Sequence, residues 1–260
     1  MPRHVSRFGW IPDLPDHRDL VFSAPRPVLQ KLPTKVNLTS KCPPVFDQGQ
    51  IGSCTANAIG AAIEFDRMKQ RLSSFMPSRL FIYYNERVME NTVNEDSGAM
   101  IRDGIKSVAQ QGVCAEKMWP YDPGPFPPNP HLTEEPTPPC YKEALKHTAV
   151  KYERISRNLS QMKGCLAAGY PFVLGFTVYD SFESDVVAQT GKVPMPSPAE
   201  GVVGGHAVLA VGYDDAGTFF RMRNSWGTRW GMKGYFTMPY AYLLDENLSD
   251  DFWQITLIKG

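Results

Sequence analysis

The chain is expected to fold as an α+β protein, a helical first half followed by a mostly antiparallel β half. Three observations predict this. Helical periodicity and capping residues dominate between residues 54 and 112. Beyond residue 170 the apolar residues gather into short β-branched and aromatic runs. Between them, residues 120–139 hold nine prolines among twenty and read as a long irregular connection.

Taken in order, residues 1–44 hold eight prolines and little periodicity, so this segment is expected to be extended rather than helical. Within it, Gly9 to Asp19 mixes large apolar side chains with turn formers. Trp10, Ile11, Leu14 and Leu20 are residues that disordered segments lack, which points to an ordered strap on a surface or in a groove. After Cys54, Ile59, Ala62, Ile63 and Met68 form a stripe near helical spacing that runs to Gln70. A second helix is expected over Ser78–Glu90. A third starts near Ser97, with Ile101, Ile105 and Val108 on one face and Gly112 as its stop. Beyond the proline-rich stretch come a short helix over Leu159–Ala168 and strands over Phe172–Tyr179, His206–Tyr213, Thr218–Arg223, Gly234–Met238 and Phe252–Ile258.

Composition narrows the function classes. Lys+Arg and Asp+Glu both number 27 among 260 residues, and no basic run stands out, so a nucleic-acid polymer is not an expected partner. No apolar run approaches the ~20 residues of a membrane span. The N-terminus lacks the apolar core of a secretory signal, which leaves the cytosol or export by another route. Cysteines at 42, 54, 114, 140 and 165 show no C-x-x-C spacing and no nearby histidine, so neither a metal nor any other cofactor is expected. Four of them are expected to stay reduced, with Cys54 as the reactive thiol.

Cys54 stands at the start of its helix, where free N–H groups favour a thiolate. Gln48 precedes it by six residues, while His206 and Asn224 follow by 152 and 170. A thiol, a base, a group to aim the base and a side-chain amide to hold an oxyanion make up the residue set for nucleophilic acyl transfer. His206 and Asn224 are expected to share one hairpin. Its loop, Asp214 to Thr218, reads as a type I turn with Gly217 in the left-handed region. Pairing Asp214 with Thr218 sets His206 opposite Trp226, with Asn224 diagonal to it on the same face. A turn changed by one residue would send Asn224 to the other face.

These residues resemble the papain-like cysteine peptidases. The matching pieces are Gln48-Gly-x-x-Gly-Ser-Cys54, Gly205-His206-Ala-Val and Asn224-Ser-Trp226-Gly-x-x-Trp230-Gly-x-x-Gly-Tyr235, with weaker matches from Asp96 to Met100 and at Trp119-Pro-Tyr121. The resemblance spans about residues 32–258. It implies a two-lobe fold, a helical lobe (about 45–125) and a β-barrel-like lobe (about 140–258), with the site in the cleft between them. It implies Cys54 as nucleophile, His206 as base and then acid, Asn224 as orienting group and Gln48 as oxyanion donor. Gly98 and Ala99 would hydrogen-bond an extended peptide. Met100, Gly175, Gly204, Gly205, Ala207 and Trp226 would line the substrate cleft, with an apolar pocket for the side chain two before the cut.

The chain departs from the family pattern at Thr55, where a tryptophan is usual. At Ile51 a disulfide cysteine is usual, so that disulfide cannot form. It thus looks like a bacterial branch without the usual disulfides. Only about 30 residues precede the apparent mature start, and they are expected to lie across the cleft and restrain activity. The implied activity is peptide hydrolysis, with endopeptidase action favoured because the segment just before Gly98 carries no histidine to clamp a substrate carboxylate. Peptides or proteins would be the substrates of a monomer. An acyltransferase using the same thioester and an inactive peptide-binding module are the alternatives.

Overall fold

A computed structural model describes residues 8–73, 75–127 and 129–259. In chain order the elements are β1 (Trp10–Ile11), α1 (Arg26–Gln30), β2 (Lys35–Asn37), α2 (Cys54–Lys69), α3 (Arg79–Glu90), β3 (Ala99–Met100) and α4 (Ile101–Gln111). Then follow α5 (Pro138–Ala144), β4 (Ala149–Arg154), α6 (Leu159–Ala167), β5 (Phe172–Tyr179), α7 (Asp185–Thr190), β6 (Val202–Asp214), β7 (Phe219–Arg223), β8 (Tyr235–Pro239), α8 (Tyr240–Leu244) and β9 (Ser249–Ile258).

Helix α2 is the central post. Every residue from Cys54 to Arg67 is buried, because its alanines and Gly60 let α3 and α4 approach on one side and β6 and β9 on the other. Such all-round burial replaces the single stripe expected of a surface helix, and Met68 lies outside it at 42% exposure. Helix α3 begins where the Ser78 hydroxyl accepts from the Phe81 N–H (3.1 Å), and it ends at Asn91 in the left-handed conformation. Gly112, at φ 75°, terminates α4. The third helix starts at Ile101, not near Ser97, because residues 99–100 are drawn into parallel pairing with Trp10 and Ile11. Nor is the N-terminal segment wholly extended, since Pro27 sits in the first turn of α1, where its missing N–H costs nothing.

Seven strands form one sheet in the order β4-β9-β5-β6-β7-β8, with β2 also paired to β6. The named strand pairs in it are antiparallel. The sheet does not close into a barrel. β5 leaves β6 at the Phe172–Ala210 pair, and β2 takes over that edge along Gly212–Asp214. The short elements β2, β4, α5, α7 and α8 had no clear signal in the sequence. They are held by neighbours rather than by their own periodicity.

The β6–β7 hairpin differs from its expected register in two places that cancel. Asp214 opposes Phe219 rather than Thr218, and Thr218 (φ 53°), not Gly217, takes the left-handed conformation. A bulge between Ala210 and Gly212 then removes the one-residue offset, so that Leu209 opposes Arg223. Continuing that register puts His206 opposite Trp226, and their rings lie 5.0 Å apart.

Candidate active site

Cys54, the first residue of α2, faces β6 and is fully buried. The backbone N–H groups of Ala207, Gly9 and Thr55 favour its charged form. His206, on β6, is also fully buried. Its Nε2 lies 2.8 Å from Asn224 Oδ1, which also accepts from the Ser225 N–H (2.8 Å). That contact fixes the ring and leaves Nδ1 without a hydrogen-bond partner among the described residues. Trp226 lies against the imidazole, and Phe176 and Phe182 surround it.

Gln48 is locked between the two sides. Its N–H donates to Ser225 O (2.8 Å), and its Oε1 accepts from the Ser225 hydroxyl (2.6 Å). The Tyr121 hydroxyl donates to Gln48 O (2.7 Å). The Gln48 amide donates to Ile51 O (3.1 Å), and its second hydrogen makes no further bond among the described residues. Tyr121 and Ser225 thus support Gln48, and although both lie inside motifs of the sequence, their side chains carry no local signal of that role.

The remaining predicted positions lie under the N-terminal strap. Gly9 O accepts from the Ala99 N–H (2.8 Å). A Cβ on Gly98 would fall 2.2 Å from Gly9 O, and one on Gly9 would fall 1.6 Å from Gly52 O. The Trp10 indole covers Gly175 and Gly205, and Phe8 covers Gly204. Phe8 also reaches His206 and Trp226, with ring centroids 6.2 and 6.3 Å away. The Met100 N–H is taken by Glu90 Oε1 (2.7 Å), and Ala207 is buried with its N–H toward the sulfur.

The strap is anchored differently from the sequence reading. Leu14 and Leu20 point outward at 67% and 69% exposure, so they do not dock it. Trp10 does, together with a polar clasp. Asp251 Oδ2 accepts from Trp10 Nε1 (3.0 Å) and the Asp13 N–H (2.8 Å). Asp13 accepts from Trp253 Nε1 (2.9 Å) and the Arg102 N–H (3.0 Å), and Arg102 grips Asp19. Asp251, at φ 57° within β9, turns its carboxyl toward the strap. Residues 1–7, which complete the expected strap, lie outside the described residues.

Under this cover the site is electrically quiet. Burial pushes the Cys54 thiol up to about 12 despite its N–H neighbours, and burial pulls His206 down to about 4 against the Asn224 bond. Desolvation in the covered cleft thus works against the charge that the helix start favours. All five cysteines are free thiols. No group of residues that could hold a metal ion occurs among the described residues, and none of their helices is long and apolar enough to cross a membrane.

The family profile described as papain family cysteine protease matches residues 32–243. The crystal structure of xylellain, a cysteine protease from Xylella fastidiosa, superposes with a TM-score of 0.91 at 48% identity, covering 98% of each chain. An uncharacterized peptidase C1-like protein of Acanthamoeba polyphaga mimivirus is 43% identical over 277 residues, which is 96% of this chain and 87% of that one. The proCathepsin B S9 of Trypanosoma congolense shares the fold at 17% identity, with a TM-score of 0.73 over 94% of this chain and 84% of its own. The helical-plus-antiparallel architecture expected from the sequence is the one these structures have.

Proposed function

The chain belongs to the papain family of cysteine proteases, and from that premise we propose an endopeptidase held in check by its own N-terminal strap. Cys54 attacks the scissile carbonyl carbon, and the oxyanion rests on the Cys54 N–H and the second Gln48 amide hydrogen. His206 carries the thiol proton to the leaving amine. The resulting thioester is cleaved by a water that His206 deprotonates. Asn224 keeps the imidazole turned toward the sulfur. The observation that carries this reading is the His206–Asn224 contact at 2.8 Å, with Nδ1 unpartnered among the described residues and Cys54 buried against the same strand.

Restraint by the strap is supported by Phe8, Gly9 and Trp10, which occupy the ground a substrate needs beside His206, Gly98–Ala99 and Gly175. In this reading residues 1–30 are the restraining segment and residues 31–260 the peptidase domain. Release of the strap readmits water to Cys54 and His206. That removes the burial penalty on both and lets the thiolate–imidazolium pair form. The glycine-floored hollow that Trp10 fills would then accept a large apolar substrate side chain.

The test is hydrolysis of a fluorogenic dipeptide amide under reducing conditions, with cleavage mapped in a mixed peptide library. Internal cuts with an apolar residue two before the bond are expected, and Cys54→Ala abolishes them. Undiminished hydrolysis by Cys54→Ala would overturn the mechanism. Cuts confined to chain ends would overturn endopeptidase action.

A further inference from the structure

Ile51 stands where the family resemblance places a disulfide cysteine, yet the segment just before the nucleophile is not loose. The Gly52 N–H donates to Asp96 Oδ1 (2.9 Å). The same oxygen accepts from the Tyr83 hydroxyl (2.6 Å), and that hydroxyl accepts from the Gly98 N–H (3.1 Å). The order Gly52 N–H, Asp96, Tyr83, Gly98 N–H is therefore continuous. It joins the residue two before Cys54 to the backbone that leads into Ala99. Tyr83 and Asp96 are both buried, and the Arg87 guanidinium lies 4.1 Å from the centre of the Tyr83 ring.

The two ends of this chain of bonds are the two walls of one slot. Gly9 of the strap passes between them, close to Gly52 on one side and Gly98 on the other, while its carbonyl accepts from Ala99. A Cβ on Gly52 would lie 3.2 Å from Asp96 Oδ1 and 3.4 Å from the Tyr83 hydroxyl, so the clasp sits directly beneath the slot. We infer that Tyr83 and Asp96 are positioning residues that set the width of the backbone-binding slot. They act on peptides through Gly52 and Gly98 and touch neither the thiol nor the imidazole. Burial, with the neighbouring Asp96 charge, holds the phenol well above its ordinary pKa, so it remains a donor throughout the working range.

The inference rests on the peptide-cleaving reading above. It is tested in the full chain by the rate at which Cys54 is labelled, read at that residue by mass spectrometry. One reagent is a peptidyl electrophile, which must thread the slot, and the other is iodoacetamide, which need not. Both require the strap to open, so the ratio of the two rates cancels strap opening. Tyr83→Phe and Asp96→Ala are expected to lower this ratio at least about tenfold each, since each breaks two hydrogen bonds of the clasp and one well-made bond is worth about that much. Asp96→Asn, which keeps the accepting oxygen, holds the ratio near wild type. A wild-type preference for the peptidyl reagent that survives both Tyr83→Phe and Asp96→Ala would overturn the clasp while leaving the peptidase reading intact. A wild type with no such preference would overturn both. Should Asp96→Ala fail to fold, Tyr83→Phe, which removes one oxygen atom, decides the matter alone.

Discussion

Trp10 donates its indole N–H to Asp251 across 3.0 Å, tying the third described residue of the strap to β9, the last strand in the chain. The same side chain lies on Gly175 and Gly205, where any Cβ would collide with it. One residue thus joins a polar clasp to an apolar plug. The strap is seated by shape and by charge together, and Cys54 is sealed beneath it.

Removing that plug is the most direct way to open the cleft. Trp10→Ala in the full chain is expected to raise the initial rate on a fluorogenic dipeptide amide by about 10- to 100-fold. The loss of a buried tryptophan contact, worth about 3–5 kcal/mol in a closed core, is only partly realised at a groove. A rate equal to or below that of the unaltered chain would count against restraint by the strap.

The clasp also makes strap docking sensitive to pH. Asp13 is pushed up to about 7 from 3.8, first by burial and then by the facing Asp251, while Arg102 pulls the other way. Asp251 is raised as well, mainly by burial, with Arg154 opposing and Asp250 adding to the rise. Asp19 also faces the pair across Arg154. An undocked Asp13 returns to water, so docking takes up a proton between its free and docked values. Docking is therefore strongest at acid pH, weakens by up to about tenfold per unit as pH rises toward 7, and levels off above. The ratio of the wild-type rate to the Asp13→Asn rate should climb from pH 5 to 7 and then flatten. The ratio removes the titration of Cys54 and His206, which the two proteins share. A ratio that is flat or falls over that range would refute the clasp as a pH sensor.

Asn224 is expected to matter for rate rather than binding. Asn224→Ala frees His206 Nε2 and lets the ring turn, so kcat should fall about 10- to 100-fold with KM little changed, less than the ~10²–10⁴-fold of a lost general acid–base because His206 itself remains. Steady-state kinetics on the Trp10→Ala background would measure it. An equal loss carried by KM would indicate that Asn224 serves substrate binding instead.

Gly112 offers a test of the fold apart from the site. It ends α4 at φ 75°, and a Cβ there would fall 1.7 Å from Ala144 O. Gly112→Ala should cost more than about 1 kcal/mol, since strain and collision add. For a chain of this size the midpoint of thermal unfolding should drop by at least about 2–4 °C. An unchanged midpoint would mean the α4 terminus relaxes freely.

Much of the site was legible because its residues are marked by local pattern. The thiol at a helix start, and the His206 and Asn224 strands, could be read from short runs of side chains. The hairpin joining them was read with the wrong turn, yet the bulge at Val211 restored the expected pairing. Neither feature leaves a local signal, since Thr218 is an unusual residue for a left-handed position and a bulge depends on what lies across the strand. The strap shows the opposite case. Leu14 and Leu20 suggested burial by composition, but docking falls to Trp10 and to Asp13, whose partner Asp251 stands 238 residues away.

By itself the sequence determined the kinds of atoms available for catalysis, the order in which they arrive and the helices and strands that carry them. These depend on propensity, period and spacing, which act over a few residues. The tertiary structure alone decided that the strap covers the cleft and that burial there works against charge on its thiol and imidazole. It also decided that a carboxylate and a phenol link Gly52 to Gly98 across the cleft floor. Each of these follows from desolvation or from contacts between distant segments, and such effects exist only once the chain has closed around them.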